Sequence, residues 1–557
     1  MRRPAPLLAM LLGLGAAGAP PPDAARGGAM KDLLVVGRIH TGDPARPLAE
    51  AVLVSGGKIA CVGAEAECLR RAAPGAVRIV GGSAVPGLVD AHGHVQGLGR
   101  ARREVSCVGA ASAADCALRA AERAQHAPPG TWIRGRGWDQ NRWQVPAFPD
   151  EAALTHAVPD HPVFLSRVDG HAAWVNAAAL AAAGIGPGTP DPPGGKILRG
   201  RGGRPSGVLV DAAQDLVLAR IPAPRATEIE EELVAALREL AALGLTEVHD
   251  AGVPPAALDV YRRLAEADRL PVRVYAMIDG EVALPALEAE LARWKGVGGV
   301  GRLTVRAVKL YADGALGSRG AALFEDYADD PGNRGLLLST PEVLRAKLRA
   351  VAAAGLQPAV HAIGDRAVSE VLTALEASGD LRALRPRVEH LQIVRPREVA
   401  RLAASGAIAS MQPAHATSDG PWVAARLGAG TERYRGAYAW RTVLRAGVPL
   451  AFGSDFPVED ADPRAGLAEA EERTPSGGLP FTPKERISRA EALAAFTAGA
   501  AFAAFAEGRR GRIREGFDAD LTVFAGDVLR CTPAELRRML VTHTIVGGRV
   551  EWAADRR

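Results

Sequence analysis

Short apolar runs alternate with amphipathic runs through the middle of the chain, from about residue 229 to residue 496. The apolar runs have the length of strands, whereas the amphipathic runs repeat apolar residues at the spacing of a helix face. Alternating strands and helices of this kind fold into a parallel sheet with the helices outside it. The number of units predicts that the sheet closes into an α/β barrel of the (β/α)8 TIM type.

Both ends of the chain have another pattern, in which short apolar strands are separated by Gly-rich turns. We predict that these strands form one small β-sandwich domain built from both chain ends. After the first barrel strand the sequence becomes irregular and rich in Gly, Pro and Trp, which indicates an insertion, and within it residues 192–205 are expected to be a loop. The predicted boundaries are 30–85 with 505–557 for the β-sandwich, 86–504 for the barrel, and about 95–215 for the insertion.

Residues 1–29 precede the first predicted strand. Arg2 and Arg3 are followed by an apolar run at 7–18, which is the pattern of a signal peptide. The run is shorter than the ~20 residues that cross a bilayer, so we expect no integral membrane segment after processing and a periplasmic or secreted protein. The alternative is that Met30 is the true start, since a strand begins directly after it, and the protein is then cytoplasmic.

Composition narrows the classes of function. The chain has 557 residues, of which 48% are hydrophobic and 23% charged, and its net charge is +4 without a concentrated basic block. Such a chain is a folded globular protein for which nucleic acid is not an implied partner. We expect a small-molecule substrate, and homo-oligomerisation stays open.

The five cysteines allow two interpretations. In an exported chain, Cys61 with Cys68 and Cys107 with Cys116 suit two local disulfides, and Cys531 remains free. In a cytosolic enzyme all five are free thiols. None of the spacings is that of a metal site.

Polar side chains stand where the predicted barrel strands end, which is where parallel barrels carry their reactive groups. On an extended strand His92 and His94 point to the same side, as two ligands of one metal must. Such groups are costly to bury unless they are paired or bind a metal, and together they form a donor set suited to zinc. The predicted metal-site residues are His92, His94, Lys309, His361, His390 and Asp455.

Lys309 needs a separate argument, because an ammonium group beside a divalent metal is repelled by it. It either pairs with a nearby carboxylate as a structural residue, or its amine reacts with carbon dioxide to give a carbamate. A carbamate on Lys309 is an anionic oxygen ligand that can bridge two metal ions.

Several motifs together resemble the metal-dependent amidohydrolase superfamily, and more closely its YtcJ-like branch, the amidohydrolase 3 family that includes N-substituted formamide deformylases. The resemblance runs from about residue 32 to residue 553. It implies a β-sandwich with a distorted barrel, and the four histidines and Asp455 as ligands or near-ligands of one or two divalent ions. It also places Lys309 where the superfamily often carries a carboxylated lysine. The motifs are residues 86–94 (PGLVDAHGH), 137–143, 168–176, 308–319, 361–365 (HAIGD), 389–392 (EHLQ) and 453–457 (GSDFP).

The predicted reaction is hydrolysis of a carbon–nitrogen bond, other than a peptide bond, in an amide-like small molecule. Metal-bound hydroxide attacks the carbonyl carbon, and Asp455 acts first as general base and then as general acid toward the leaving nitrogen. One alternative is an ester, lactone or carbamate hydrolase that uses the same site. A second alternative is a non-catalytic metal- or ligand-binding protein.

Substrate contacts are predicted from the insertion and from the segment after Lys309. Trp138 and Trp174 are candidates for the wall of an apolar pocket, and His171 is a candidate donor to a substrate carbonyl. Arg319 either pairs with Asp313 or binds a substrate carboxylate.

Overall fold

The computed structural model describes residues 30–474, 478 and 481–554. Its centre is an almost closed, all-parallel barrel of eight strands, so the predicted (β/α)8 class is confirmed. The strands are nearly all buried because helices cover the outside, which explains their continuous apolar sequences. The first to eighth barrel strands are Leu88–Gly93, Leu245–Val253, Arg273–Asp279, Leu303–Tyr311, Gln357–Ala362, Arg387–His390, Ile408–Met411 and Leu450–Phe452.

The barrel nearly closes between its first and eighth strands, beside the loop that follows the eighth. There the backbone N–H of Asp455 donates to the carbonyl of His92 at 2.7 Å. The fourth strand also pairs outward with a short antiparallel strand, Gly299–Val300. This closure brings the two ends of the predicted metal site together, although more than 300 residues separate them in the sequence.

Helices follow the barrel strands and cover them. Several begin on proline, whose fixed φ and missing N–H suit the first helical position. The helices outside the barrel are Val95–Ala101, Ala226–Ala242, Pro255–Glu266, Leu284–Trp294, Pro341–Ala353, Asp365–Glu376, Pro396–Ser405, Pro413–Leu427, Glu432–Arg435, Trp440–Arg445, Pro463–Glu472, Arg489–Ala494 and Ala500–Ala503.

Both chain ends contribute strands to the small β-domain, as predicted. Alternate residues of its strands face opposite sides, so that Leu34 and Val35 enter separate apolar clusters. Two short helices, Glu65–Arg71 and Pro533–Arg538, belong to this region. Its seven strands, in their order across the sheet, are Arg549–Ala553, Val541–Val546, Leu521–Phe524, Val77–Pro86, Leu33–His40, Leu48–Ser55 and Lys58–Gly63.

The insertion after the first barrel strand is more regular than its sequence suggests. It contains a six-stranded sheet with its own apolar core, and residues 192–205, predicted to be a loop, include a strand. Its helices are Ala113–Ala124, Glu151–Ala157, Ala177–Ala183 and Asp215–Leu218. Its strands are, across the sheet, Gly195–Arg199, Pro205–Asp211, Ala172–Val175, Val163–Arg167, Ile133–Trp138 and Val105–Ser106.

One of the two suggested disulfides is present. Cys61 and Cys68 are bonded in the small β-domain, whereas Cys107 and Cys116 are both buried free thiols in the insertion. Cys531 is also free, as expected. The interpretation with five free thiols is therefore wrong, and of the interpretation with two disulfides only the Cys61–Cys68 bond is confirmed.

Alkylation with iodoacetamide is expected to distinguish these cysteines by mass. Protein denatured without reductant should gain three carbamidomethyl groups, and protein reduced before alkylation should gain five, because only Cys61 and Cys68 are bonded. Peptide mapping should place the two additional groups on the segment that contains both of these residues. Only one added group without reductant would mean that Cys107 and Cys116 are also bonded.

None of the helices in the described part of the chain combines the length and the apolar composition that a membrane crossing needs. The predicted signal peptide, at residues 1–29, lies outside the described residues.

Candidate functional site

The two histidines of the first barrel strand converge on one carboxylate oxygen. His94 Nε2 lies 3.0 Å from Asp455 Oδ1, and His92 Nε2 lies 3.6 Å from the same atom. Gly93 separates the two histidines and packs against the ring of Phe456, where a Cβ atom would lie 2.3 Å from a ring carbon. A residue with a side chain at position 93 would therefore displace the loop that carries Asp455.

The loop after the eighth strand is fixed by the first strand. Asp90 accepts hydrogen bonds from the Ser454 hydroxyl at 2.6 Å and from the backbone N–H groups of Ser454 and His92 at 3.1 Å each. Asp455 follows with φ at +64°, a left-handed conformation that is uncommon for a residue with a side chain. These contacts hold the Asp455 carboxylate beneath the histidines.

Three imidazoles are oriented by hydrogen bonds at Nδ1. Because each partner is an acceptor, Nδ1 carries the proton and Nε2 keeps its lone pair, which is the tautomer of a metal ligand. The Nδ1 partners are Glu389 Oε2 at 2.5 Å for His92, Ala251 O at 2.9 Å for His94 and Gln412 Oε1 at 2.9 Å for His390.

The donor atoms form two overlapping groups that fit a metal. One consists of His92, His94 and Asp455, the other of His390, His415 and Asp455, and within each group the atoms lie within 4.8 Å of one another. Among the described residues, buried Asp455 Oδ1 has no hydrogen-bond donor, although the unprotonated His94 Nε2 lies close by. Two electron-rich atoms that approach each other this closely are stabilised by a cation between them, which favours a metal ion at this position.

The electrostatics keep Asp455 ionised. Burial alone would raise the pKa of its carboxyl, but the contacts with His415 and His94 and the nearby His390 and His92 hold that pKa well below its ordinary value. His415 Nε2 lies 3.2 Å from Asp455 Oδ2. Asp455 is thus a carboxylate at neutral pH.

Lys309 ends the fourth barrel strand and lies against the same centre. Its side chain is 1% exposed, and its Nζ is 3.0 Å from His92 Nε2. Burial lowers the pKa of Lys309 to about 8, against the opposing effect of Glu389 and Asp455. A large fraction of the amine is therefore neutral near pH 8.

His361, at the end of the fifth strand, lies beside His390. Its ring is 4.5 Å from that of His390 and 5.0 Å from that of His171, measured between centroids. The carboxylate of Asp313 accepts hydrogen bonds from the backbone N–H groups of Ile363 and Gly364 at 3.0 and 2.8 Å, and these bonds fix the loop after the fifth strand.

The insertion contributes His171 to the cavity. Its Nδ1 is 2.7 Å from Asp211 Oδ1, and Asp211 is buried. Burial lowers the pKa of His171, but the hydrogen bond and charge of Asp211 raise it more, so that it lies above its ordinary value. His171, held by Asp211, is thus a hydrogen-bond donor at the cavity wall.

Three predicted substrate contacts take other positions. Trp138 and Trp174 are fully buried in the core of the insertion, where their indole N–H groups donate to Leu165 O and Asp150 O, each at 2.7 Å. Their large apolar rings fill that core and do not line the cavity. Arg319 pairs with Asp329 at 3.1 Å, so neither suggested role holds, the pair with Asp313 or the substrate contact.

Some residues of the site were missed in the sequence. His415 lies in the helix that follows the seventh strand, four residues beyond the strand end, and only tertiary packing brings it to Asp455. Glu389 and Gln412 orient His92 and His390. Glu389 stands next to His390 at a strand end, which is a signal that could have identified it.

A cavity of about 1370 Å³ opens above this centre, between the carboxyl ends of the barrel strands and the insertion. His94, Lys309, His361, His390 and Asp455 lie at its wall. The volume accommodates a small organic substrate together with water.

The chain belongs to the amidohydrolase family, whose profile matches residues 80–551. This membership confirms the resemblance found in the sequence. Together with the fold and the converging histidine and aspartate side chains, it defines the chain as a metal-dependent hydrolase.

Particular relatives cover most of the chain. YtcJ of Bacillus subtilis (strain 168) is 35% identical over 479 residues, which are 84% of this chain and 88% of YtcJ. The N-substituted formamide deformylase of Arthrobacter pascens is 31% identical over 540 residues, covering 93% of this chain and 98% of the relative. A crystal structure of a metal-dependent hydrolase from Pyrococcus horikoshii OT3 superposes with a TM-score of 0.73 at 25% identity, covering 90% of this chain and 99% of that chain.

Proposed function

We propose that this protein hydrolyses a carbon–nitrogen bond, other than a peptide bond, in an amide-like small molecule. The observation that carries the proposal is the convergence of histidine Nε2 lone pairs on the buried Asp455 carboxylate, inside a cavity at the carboxyl end of the barrel. The likeness to an N-substituted formamide deformylase supports a carbon–nitrogen bond as the bond that is cleaved.

The chain's own residues would hold one or two divalent ions, with zinc as the preferred metal. When bound, the metal supplies a water whose pKa is lowered to about 7 and polarises the carbonyl that is attacked. The residues for one ion would be His92, His94 and Asp455, and those for a second would be His390, His415 and Asp455. We propose His361, beside His390, and Lys309 as a carbamate, beside His92, as further ligands.

A carbamate on Lys309 would suit its surroundings better than an ammonium group. The ammonium group would first lose a proton, and the neutral amine would then attack carbon dioxide and lose a second proton, so that a cation becomes an anionic oxygen ligand. The short distance from Lys309 Nζ to His92 Nε2 supports this, because a positive charge there would oppose metal binding at His92.

Proton transfer falls to Asp455. As an ionised, buried carboxylate it accepts a proton from the attacking water and then delivers that proton to the leaving nitrogen, which departs as a neutral amine. The contact with His415 at Oδ2 fixes the orientation of the carboxylate for this exchange.

His171 would donate a hydrogen bond to the substrate carbonyl oxygen as negative charge develops there. Replacing His171 by Asn should lower kcat by about 10²-fold, because one preorganised donor to an oxyanion is lost. Metal content should stay unchanged, since the residues that hold the ion remain. His156→Asn, at an exposed position of the same insertion, is the matched control and should keep full activity. A His171→Asn enzyme with normal kcat would remove this residue from the reaction.

The proposed function is tested by metal analysis and a substrate panel. Protein purified without chelator should contain zinc or another divalent ion, and it should hydrolyse at least one of N-formyl amines, N-acyl amino acids and cyclic imides. Dialysis against a chelator should abolish hydrolysis, and zinc with hydrogen carbonate should restore it better than zinc alone if Lys309 is carboxylated. Cleavage confined to aryl esters or lactones would indicate the alternative hydrolase, and failure to retain zinc, manganese or cobalt would contradict the proposal.

A further inference from the structure

We infer that the substrate carries a carboxylate group and that Arg136 binds it. This inference rests on the proposed hydrolase function and adds the chemical class of its substrate. It starts from a cation in the cavity wall that forms no ion pair with any described residue.

The arginines of the cavity wall are paired with carboxylates, with one exception. Arg136 forms no ion pair with any residue in the described part of the chain. The paired arginines and their partners are Arg100 with Glu232, Arg102 with Glu239, Arg134 with Glu104, Arg142 with Asp139, and Arg167 with both Asp139 and Asp169.

Arg136 is held in place by neutral groups. Its guanidinium donates to Pro457 O, in the loop that carries Asp455, and to Val168 O at 2.9 Å. The side chain is only partly exposed, and burial lowers its pKa. A half-buried cation that is oriented by two carbonyls, with N–H groups to spare, is prepared to accept an anion.

The carboxylates nearest to Arg136 are occupied by other partners. Asp455 contacts the histidines, Asp169 pairs with Arg167, and Glu459 binds His415 and the hydroxyl of Ser418. Glu104 forms an ion pair with Arg134. The missing negative partner would therefore come from the ligand, and a planar carboxylate matches the two-pronged geometry of a guanidinium.

The position of Arg136 places this carboxylate close to the reacting bond. Its partner carbonyl, Pro457 O, is two residues from the proposed proton carrier, Asp455. The carboxylate belongs either to the amine part, as in an N-acyl amino acid, or to the acyl part, as in the half-amide of a dicarboxylic acid. Both sources present the same chemistry to Arg136.

Matched substrates test the inference and separate the two sources. N-acetylphenylalanine is compared with N-acetylphenylalaninamide, and N-benzylsuccinamate with N-benzylsuccinamide. We expect the natural enzyme to prefer one of the acids over its carboxamide by roughly 10- to 100-fold in kcat/KM, the worth of a hydrogen-bonded charge pair. In Arg136→Gln the preference should fall to about one, chiefly through a higher KM for the acid.

Control variants separate recognition from a merely structural role. Arg136→Lys keeps the charge and should retain part of the preference, whereas Arg134→Gln, on the same strand but ion-paired, should retain all of it. If Arg136 only joins the insertion to the barrel, Arg136→Gln will slow acid and carboxamide by the same factor and lower the melting temperature. That result would overturn the inference.

Binding gives a readout that does not depend on turnover. Calorimetry with 3-phenylpropionate and 3-phenylpropionamide should show tighter binding of the acid, and this difference should disappear in Arg136→Gln. Equal binding of the two compounds to the natural protein would overturn the inference, whichever bond the enzyme cleaves. Hydrolysis of neutral amides with no preference for acids would also overturn it and would leave the proposed hydrolase function intact.

Discussion

The Asp455→Asn variant is expected to lose at least about 10³-fold in kcat while it retains part of its bound metal. Asn has the shape of Asp but can neither accept the proton of the attacking water nor carry it to the leaving nitrogen. His92 and His94 stay in place, because the backbone contacts of the loop do not involve the carboxylate. Steady-state kinetics on any substrate found in the panel, with metal analysis of the same sample, measures both effects.

An exposed aspartate provides the control for this variant. Asp380→Asn lies far from the cavity in a surface pair with Arg382 and should leave kcat and metal content unchanged. Undiminished hydrolysis by Asp455→Asn would exclude Asp455 as the proton carrier. Complete loss of metal would instead make its role as a ligand the larger one.

Replacing Glu389 by Leu is expected to destabilise the fold by about 3–5 kcal/mol, because it leaves Arg387 charged and unpaired in the interior. Both side chains are fully buried, and their atoms approach to 2.7 Å. The variant should also bind metal about 10- to 100-fold more weakly, since His92 loses the acceptor that orients it. Urea denaturation of metal-free protein and competition with a chelator measure the two effects separately.

A double variant identifies the cause of the instability. Arg387→Met with Glu389→Leu removes both charges and should recover much of the lost free energy of unfolding, although the weak metal binding should persist. A double variant no more stable than Glu389→Leu alone would show that the loss came from packing and not from the uncompensated cation.

The same pair predicts how stability depends on pH. Burial raises the pKa of Glu389, but Arg387 and His92 lower it more, so that it lies well below its ordinary value of 4.5. A carboxyl whose pKa is depressed by folding contributes stability that is fully present above its unfolded value and is lost as the pH falls through the folded one. This contribution should therefore be complete above about pH 4.5 and decline only in stronger acid.

The sequence predicts the parts of the site that depend on strand ends. In a parallel barrel every strand delivers its last residues to one face, so His92, Lys309, His361 and His390 could be brought together by counting strands alone. Asp455 follows the eighth strand and fits the same rule. These positions depend on backbone topology, which periodic sequence patterns encode directly.

The remaining positions depend on contacts between distant segments. The pairing of Arg319 with Asp329 depends on the folded surroundings, and so does the lack of an ion pair for Arg136 among the described residues. The sequence therefore offered Arg319, and not Arg136, as a candidate for binding a substrate carboxylate. Trp138 is a candidate for the cavity wall in the sequence, but the sheet of the insertion encloses an apolar core in which this ring is buried. His415 lies inside a helix, so a rule based on the ends of strands cannot identify it.

The strand Val77–Pro86 of the small β-domain runs into the first barrel strand with only Gly87 between them, and it pairs on one side with Leu33–His40 and on the other with Leu521–Phe524. The strand that leads into His92 and His94 is thus held between two strands that come from opposite ends of the sequence. Removal of either flanking strand would expose an edge of Val77–Pro86 and weaken the support of the first barrel strand. Truncations that reach Leu33–His40 or Leu521–Phe524 are therefore expected to disturb the positions of His92 and His94.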